Sequence, residues 1–154
     1  MEKKLLIFFL LISSCSSGGV PPSKSATFSN YIKDIYLHNI NIYDYDFYII
    51  PLEVCRSCII SSLTSISSVK DSNLVLILSG NKHGEFIRQN DQIFSEHFSL
   101  VLYDKSNQLS KYDLGIFKPT LLKILPGDKS IKKLEIYEFD QARWDKTKNT
   151  LYDK

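Results

Sequence analysis

Apolar residues run unbroken from Leu5 to Ile12, thin out, and then return in blocks whose spacing alternates between that of strands and that of helices. Asp46 to Leu52 is aromatic and β-branched, as a buried strand is, and it leads directly into Val54-Cys55. Ile59, Leu63, Ile66 and Val69 then recur at helical spacing, which predicts an amphipathic helix starting at the cysteines. Asn73 to Ser79 has no polar interruption after its first residue and reads as a central strand covered on both faces. A strand, helix, strand unit of this kind is naturally parallel and right-handed. A second helix is expected over Glu85 to Phe94, with Phe86, Ile93 and Phe94 on its apolar face and Asn90-Asp91 interrupting it. Phe98 to Tyr103 reads as a further strand, Asp104 to Asn107 as a turn, and Gln108 to Tyr112 as a short edge strand. Pro119-Thr120 opens the run Leu121 to Leu125, Pro126-Gly127-Asp128 turns the chain, and Ile131 to Tyr137 returns by alternation, giving a β-hairpin. Trp144, Thr147 and Leu151 suit one face of a short terminal helix starting near Asp140. The pattern predicts an α/β fold, a central mixed β-sheet flanked by helices.

The N-terminal run has a different destination. Lys3 and Lys4 precede it and the small residues Ser13-Ser14 follow, the order of a secretory signal. It is too short to span a bilayer, which takes roughly 20 apolar residues. Ile12-Ser13-Ser14-Cys15 resembles the bacterial lipobox, which implies cleavage before Cys15, acylation of that cysteine and attachment to a membrane facing an extracytoplasmic compartment such as the periplasm. An ordinary cleaved signal with an incidental cysteine, or an uncleaved signal anchor, are the alternatives. Residues 1–14 are thus expected to be a signal peptide, 15–27 a flexible tether without periodicity, and 28–154 one folded domain. The formal charge of +2 is scattered without a basic stripe, so no nucleic-acid partner is expected.

If Cys15 carries lipid, the other two of the 3 cysteines stand alone as Cys55-Arg56-Ser57-Cys58. At a helix start one turn brings such a pair onto neighbouring positions, where it can bridge. A zinc site needs further ligands, and His38, His83 and His97 form no paired motif, so no metal is expected. A purely structural bridge is open to this pair, although so small a loop removes little chain entropy. Capture of Cu(I) by the two thiolates lacks an evident third ligand. The strand-to-helix junction favours redox chemistry: unpaired N–H groups and the positive helix end stabilise a thiolate, lowering the first cysteine below about 8.5, and Arg56 adds a positive charge. Glu53, two residues ahead of Cys55, is a possible proton acceptor or simply an exposed loop carboxylate.

With Cys-x-x-Cys after the first core strand and Pro-Thr opening a late hairpin, the region from Asp46 to Glu138 resembles the thioredoxin superfamily. Within it the chain is most similar to membrane-anchored thiol-disulfide oxidoreductases of the cytochrome-maturation kind and related lipoproteins. Leu100-Val101-Leu102-Tyr103-Asp104, Tyr112-Asp113-Leu114-Gly115-Ile116 and Pro119-Thr120-Leu121 carry that similarity in order and spacing. The resemblance implies a thioredoxin-like fold and makes Pro119 the family's cis-proline, lying against the disulfide and presenting the Lys118 backbone to a bound peptide. Val54 replaces the aromatic residue usual before the first cysteine, and Arg56-Ser57 the usual Gly-Pro. Ile49 and Ser61 stand where relatives carry a buried carboxylate.

The activity implied is that of a lipid-anchored, extracytoplasmic thiol-disulfide oxidoreductase without cofactor, Cys55 attacking and Cys58 resolving. Its partners would be envelope proteins with thiols or disulfides, and the membrane through the anchor, with the protein a monomer. The alternative is an inactive thioredoxin-fold lipoprotein that binds other proteins and keeps a structural disulfide.

Overall fold

The computed structural model describes residues 22–54, 56–66, 69, 71–125, 130–135, 142 and 145–146. The signal peptide, Cys15, most of the tether, Cys55, the turn Pro126-Gly127-Asp128 and the terminal-helix residues Trp144, Thr147 and Leu151 lie outside the described residues. In chain order the elements are α1 (Lys24–Ile35), β1 (Asp46–Pro51), α2 (Arg56–Ile66), β2 (Leu74–Ser79), α3 (Gly84–Gln89), α4 (Asp91–His97), β3 (Leu100–Asp104), a 3-10 helix (Gln108–Lys111), β4 (Thr120–Ile124) and β5 (Ile131–Glu135).

The strands form a 5-stranded mixed sheet in the order β3-β2-β1-β4-β5. β1 pairs parallel with β2, and β2 with β3, while β4 is antiparallel to both β1 and β5. β1 and β2, with apolar side chains on both faces, are therefore central. Tyr48, Ile50, Leu76 and Leu78 face Ile59, Leu63 and Ile66 of α2, together with Ile87 and Phe94. Phe47, Ile49, Val75 and Ile77 face Phe28, Tyr31 and Ile32 of α1. The α/β class with helices flanking a mixed sheet is what the hydrophobic pattern predicts. The period-2 alternation of each strand sorts its side chains between two cores.

The sequence reading and the structure part at several places. α1 begins at Lys24, inside the stretch 15–27 read as tether. Ser23 caps it by accepting from the Ala26 N–H at 3.3 Å, and Phe28, Tyr31 and Ile32 bury the face that pays for ordering it. The expected single helix over Glu85 to Phe94 is two short ones broken at Asn90, which ends α3 and starts α4 with φ −112° and ψ 6°. Asparagine readily leaves helical geometry, and here the interruption noted at Asn90-Asp91 becomes a real break. Gln108–Lys111, expected as an edge strand, is instead a 3-10 helix. The Asp104 carboxylate captures the Gln108 and Leu109 N–H groups at 2.7 and 2.9 Å, so these donors bend around a side chain and are withdrawn from any ladder.

Candidate functional site

The site predicted from sequence lies where β1 ends and α2 begins. Leu52, buried in the core under α2, donates its N–H to the Ser79 carbonyl at 2.7 Å, tying the loop after β1 to the end of β2. The chain then turns, with the Val54 N–H directed to the Pro51 carbonyl at 3.5 Å and Val54 packed against the same core. Arg56, exposed, is the first residue of α2. Cys58 stands half-buried in the first turn of that helix and is disulfide-bonded. Ile59, Leu63 and Ile66 bury the helix face that fixes this turn against the sheet.

Glu53 points across the loop to Lys82, Oε2 to Nζ at 2.6 Å, with both side chains well exposed. Gly80 lies beneath this pair with φ +113°, and a Cβ there would meet Glu53 Oε1 at 3.1 Å. The glycine therefore allows both the backbone conformation and the approach of the carboxylate. Cavities open around the same rim. One of about 450 Å³ is lined by Leu52, Lys82, Ile87, Arg88 and Tyr103 among others. Another of about 410 Å³ lies between Glu53-Val54 and the chain from Asn107 to Phe117, with Phe117 79 % exposed at its mouth. A third, of about 400 Å³, brings Arg56 together with His83, Glu85 and Gln89. Tyr103 at the first cavity donates its hydroxyl to Asp91; burial, and then that hydrogen bond, push its acidity constant up.

Pro119 is buried directly ahead of β4. β4 pairs with β1 up to Ile49↔Thr120, so Pro119 lies one step further along, beside the end of the strand that leads to the cysteines. Its bond corrects the expectation of a cis-proline: no peptide bond among the described residues is cis, and Lys118-Pro119 is trans. Trans is the ordinary preference of X-Pro by about 0.5–1 kcal/mol. The Thr120 hydroxyl donates to the Lys118 carbonyl at 2.7 Å, holding that carbonyl on the protein's own side chain.

A polar cluster that the sequence reading did not single out sits under the same end of the sheet. Asp104, 2 % exposed, accepts from the Ser79 hydroxyl at 2.7 Å and the Tyr31 hydroxyl at 3.3 Å, besides the Gln108 and Leu109 N–H groups. Burial, and then the adjacent Asp104 charge, raise the Tyr31 acidity constant far above its ordinary value. The sequence signal was an aspartate ending an apolar strand three residues ahead of Asn107, which takes the left-handed conformation at φ 52°. Together these groups bind α1, β2, β3 and the 3-10 helix at one point.

Among the described residues no three His, Cys, Asp or Glu side chains gather where they could hold a metal ion, and no helix is long and apolar enough to cross a membrane. Comparison with protein-family models, with curated proteins and with solved structures finds no match.

Proposed function

We propose that the chain is a lipid-anchored, extracytoplasmic thiol-disulfide oxidoreductase with a thioredoxin-like fold, acting through Cys55 and Cys58. The observation that carries this reading is the position of Cys58 in the first turn of α2, directly after the central strand β1. Reactive groups of α/β sheets sit at the carboxyl ends of their parallel strands, and a helix N-terminus favours the thiolate that thiol-disulfide exchange needs. Pro119 flanks the end of the same strand, which supports a role as a wall of the cysteine site.

In the reducing direction Cys55 thiolate attacks a substrate disulfide, forming one new S–S bond while the displaced substrate sulfur leaves as thiolate and takes a proton. Cys58 thiolate then attacks Cys55, releasing the second substrate thiolate and leaving the Cys55–Cys58 disulfide. Two electrons have passed to the substrate, and a dithiol must restore the pair. The lipidated Cys15 keeps this chemistry at a membrane surface, where envelope proteins supply the disulfides. A Cys58→Ser variant is expected to accumulate mixed disulfides between Cys55 and envelope proteins on non-reducing gels. Trapping through Cys58 in a Cys55→Ser variant, or no adducts from either, refutes the assigned roles.

The ion pair of Glu53 with Lys82 favours a second reading, since it occupies the candidate proton acceptor on the surface. In that reading the fold binds other proteins and the bridge is structural. A permanent bridge has a reduction potential below about −300 mV and a working pair one above it.

A further inference from the structure

Ser62 is fully buried on α2, at 0 % exposure, and its Oγ has no hydrogen-bond partner. A helical serine ordinarily points to solvent or donates to the carbonyl one turn back. Ser62 does neither. It lies among Ile59, Leu63 and Ile66, which offer no acceptor, whereas Ser61 and Ser65 on the same helix are only half-buried. The group one helical turn ahead of it is Cys58, and helical side chains lean toward the N-terminus, over that preceding turn.

We infer that the Ser62 hydroxyl is the hydrogen-bond donor that receives the Cys58 sulfur when its disulfide opens, which makes Ser62 a positioning residue for the resolving thiol. This rests on the oxidoreductase reading above, with Cys55 as the partner of Cys58. A disulfide sulfur is a poor acceptor, whereas the freed Cys58 sulfur accepts as a thiol and, in the thiolate form that attacks Cys55, does so as a strong, charge-assisted acceptor. Reduction by a dithiol breaks the Cys55–Cys58 bond, adds two electrons and two protons, and leaves the donor dithiol as a disulfide. The orphan hydroxyl then gains an acceptor in the reduced form only. Ser62 therefore shifts the redox equilibrium toward the dithiol by being unsatisfied in one state and satisfied in the other.

The test equilibrates the full-length protein in detergent with glutathione and dithiothreitol buffers and reads the reduced fraction by thiol alkylation. Ser62→Ala is expected to move the equilibrium about tenfold toward the disulfide, which is about 30 mV lower in reduction potential. Ser62→Thr, which keeps the hydroxyl, is expected to retain the wild-type potential. Urea unfolding of both redox forms supplies a second measurement: the alanine variant should gain stability when oxidised and lose it when reduced. Equal potentials for wild type and Ser62→Ala, or the same stability change in both forms, overturn the inference. Turnover of a disulfide substrate by the wild-type protein separates the two levels. Turnover without a potential shift removes the role of Ser62 alone, whereas a potential shift without turnover removes the oxidoreductase and leaves the hydroxyl its partner.

Discussion

Replacing Asp104 by alanine should cost about 2–4 kcal/mol, because it withdraws one acceptor from four donors at once. The donors do not contribute equally. Gln108 is half-buried, so its N–H can turn to water, and the Ser79 hydroxyl can turn to Asn107 Oδ1, already at 3.2 Å. The Tyr31 hydroxyl can turn to Ser79, with which it also interacts, but the buried Leu109 N–H has no such outlet, and a buried donor left unsatisfied costs about 1–3 kcal/mol. The three donors that change partner exchange a charge-assisted bond for a neutral one, which adds about 1 kcal/mol in all. Measured by urea unfolding, with a slope of about 1–3 kcal/mol per M, this is a fall of about 1–2 M in midpoint. Asp104→Asn, which keeps one acceptor oxygen, should lose roughly half as much. A loss below about 1 kcal/mol for the alanine variant would show that water replaces the carboxylate at no cost, and the argument for the cluster as the tie between α1 and the sheet would fail.

The same cluster gives a pH prediction. Burial and Asp104 raise the Tyr31 acidity constant in the folded protein, so above about pH 10 the unfolded chain loses a proton that the folded one keeps. The unfolded state then binds fewer protons, and stability should fall with rising pH from about pH 10 upward. Tyr31→Phe should flatten that part of a denaturation series run from pH 8 to 11; an unchanged slope refutes the assignment to Tyr31. For the anchor, Cys15→Ser should abolish incorporation of labelled palmitate and shift the protein from the membrane to the soluble fraction, and persistent membrane retention would favour an uncleaved signal anchor instead.

The central strands were legible because β1 and β2 are bounded apolar runs, and a run of that length with turns at both ends has few other uses. α2 was legible from Ile59, Leu63 and Ile66, a stripe that only helical spacing makes continuous. α1 was missed because its buried face, Phe28, Tyr31 and Ile32, follows directly on a serine- and glycine-rich stretch that reads as a linker. The 3-10 helix was missed for another reason. Alternation over Gln108–Lys111 is compatible with a strand, and what overrides it is the Asp104 side chain four residues upstream, a local polar capture that a hydrophobic pattern does not record. At the candidate site, Cys58 on α2, Arg56 at its start and Pro119 at the edge of β1 all follow from element order. The Glu53–Lys82 pair does not, since it depends on the loop after β2 rising beside the loop after β1.

The loop after β1 hangs on β2 through Leu52 and the Ser79 carbonyl, and the Ser79 hydroxyl hangs on Asp104. The Gly80 N–H is held by the Asp104 carbonyl at 2.9 Å, so the carboxylate and the backbone of one residue fix consecutive residues at the end of β2. Gly80 in turn leaves the space that Glu53 needs to reach Lys82. A chain of direct contacts thus runs from the α1–sheet junction to the residues ahead of Cys55, without passing through α2. Exchange at a cysteine pair needs the attacking sulfur held in line, and a site is only as exact as the elements beneath it. In this fold that support falls to two systems, one apolar and one polar. α2 is seated by apolar packing on one face of the sheet, while the loop before it shares that core through Leu52 and Val54 and is held in addition by a polar cluster under the end of β2. Weakening the cluster should therefore loosen the loop and leave the helix in place, so any effect of Asp104→Ala on thiol exchange ought to fall on Cys55 more than on Cys58.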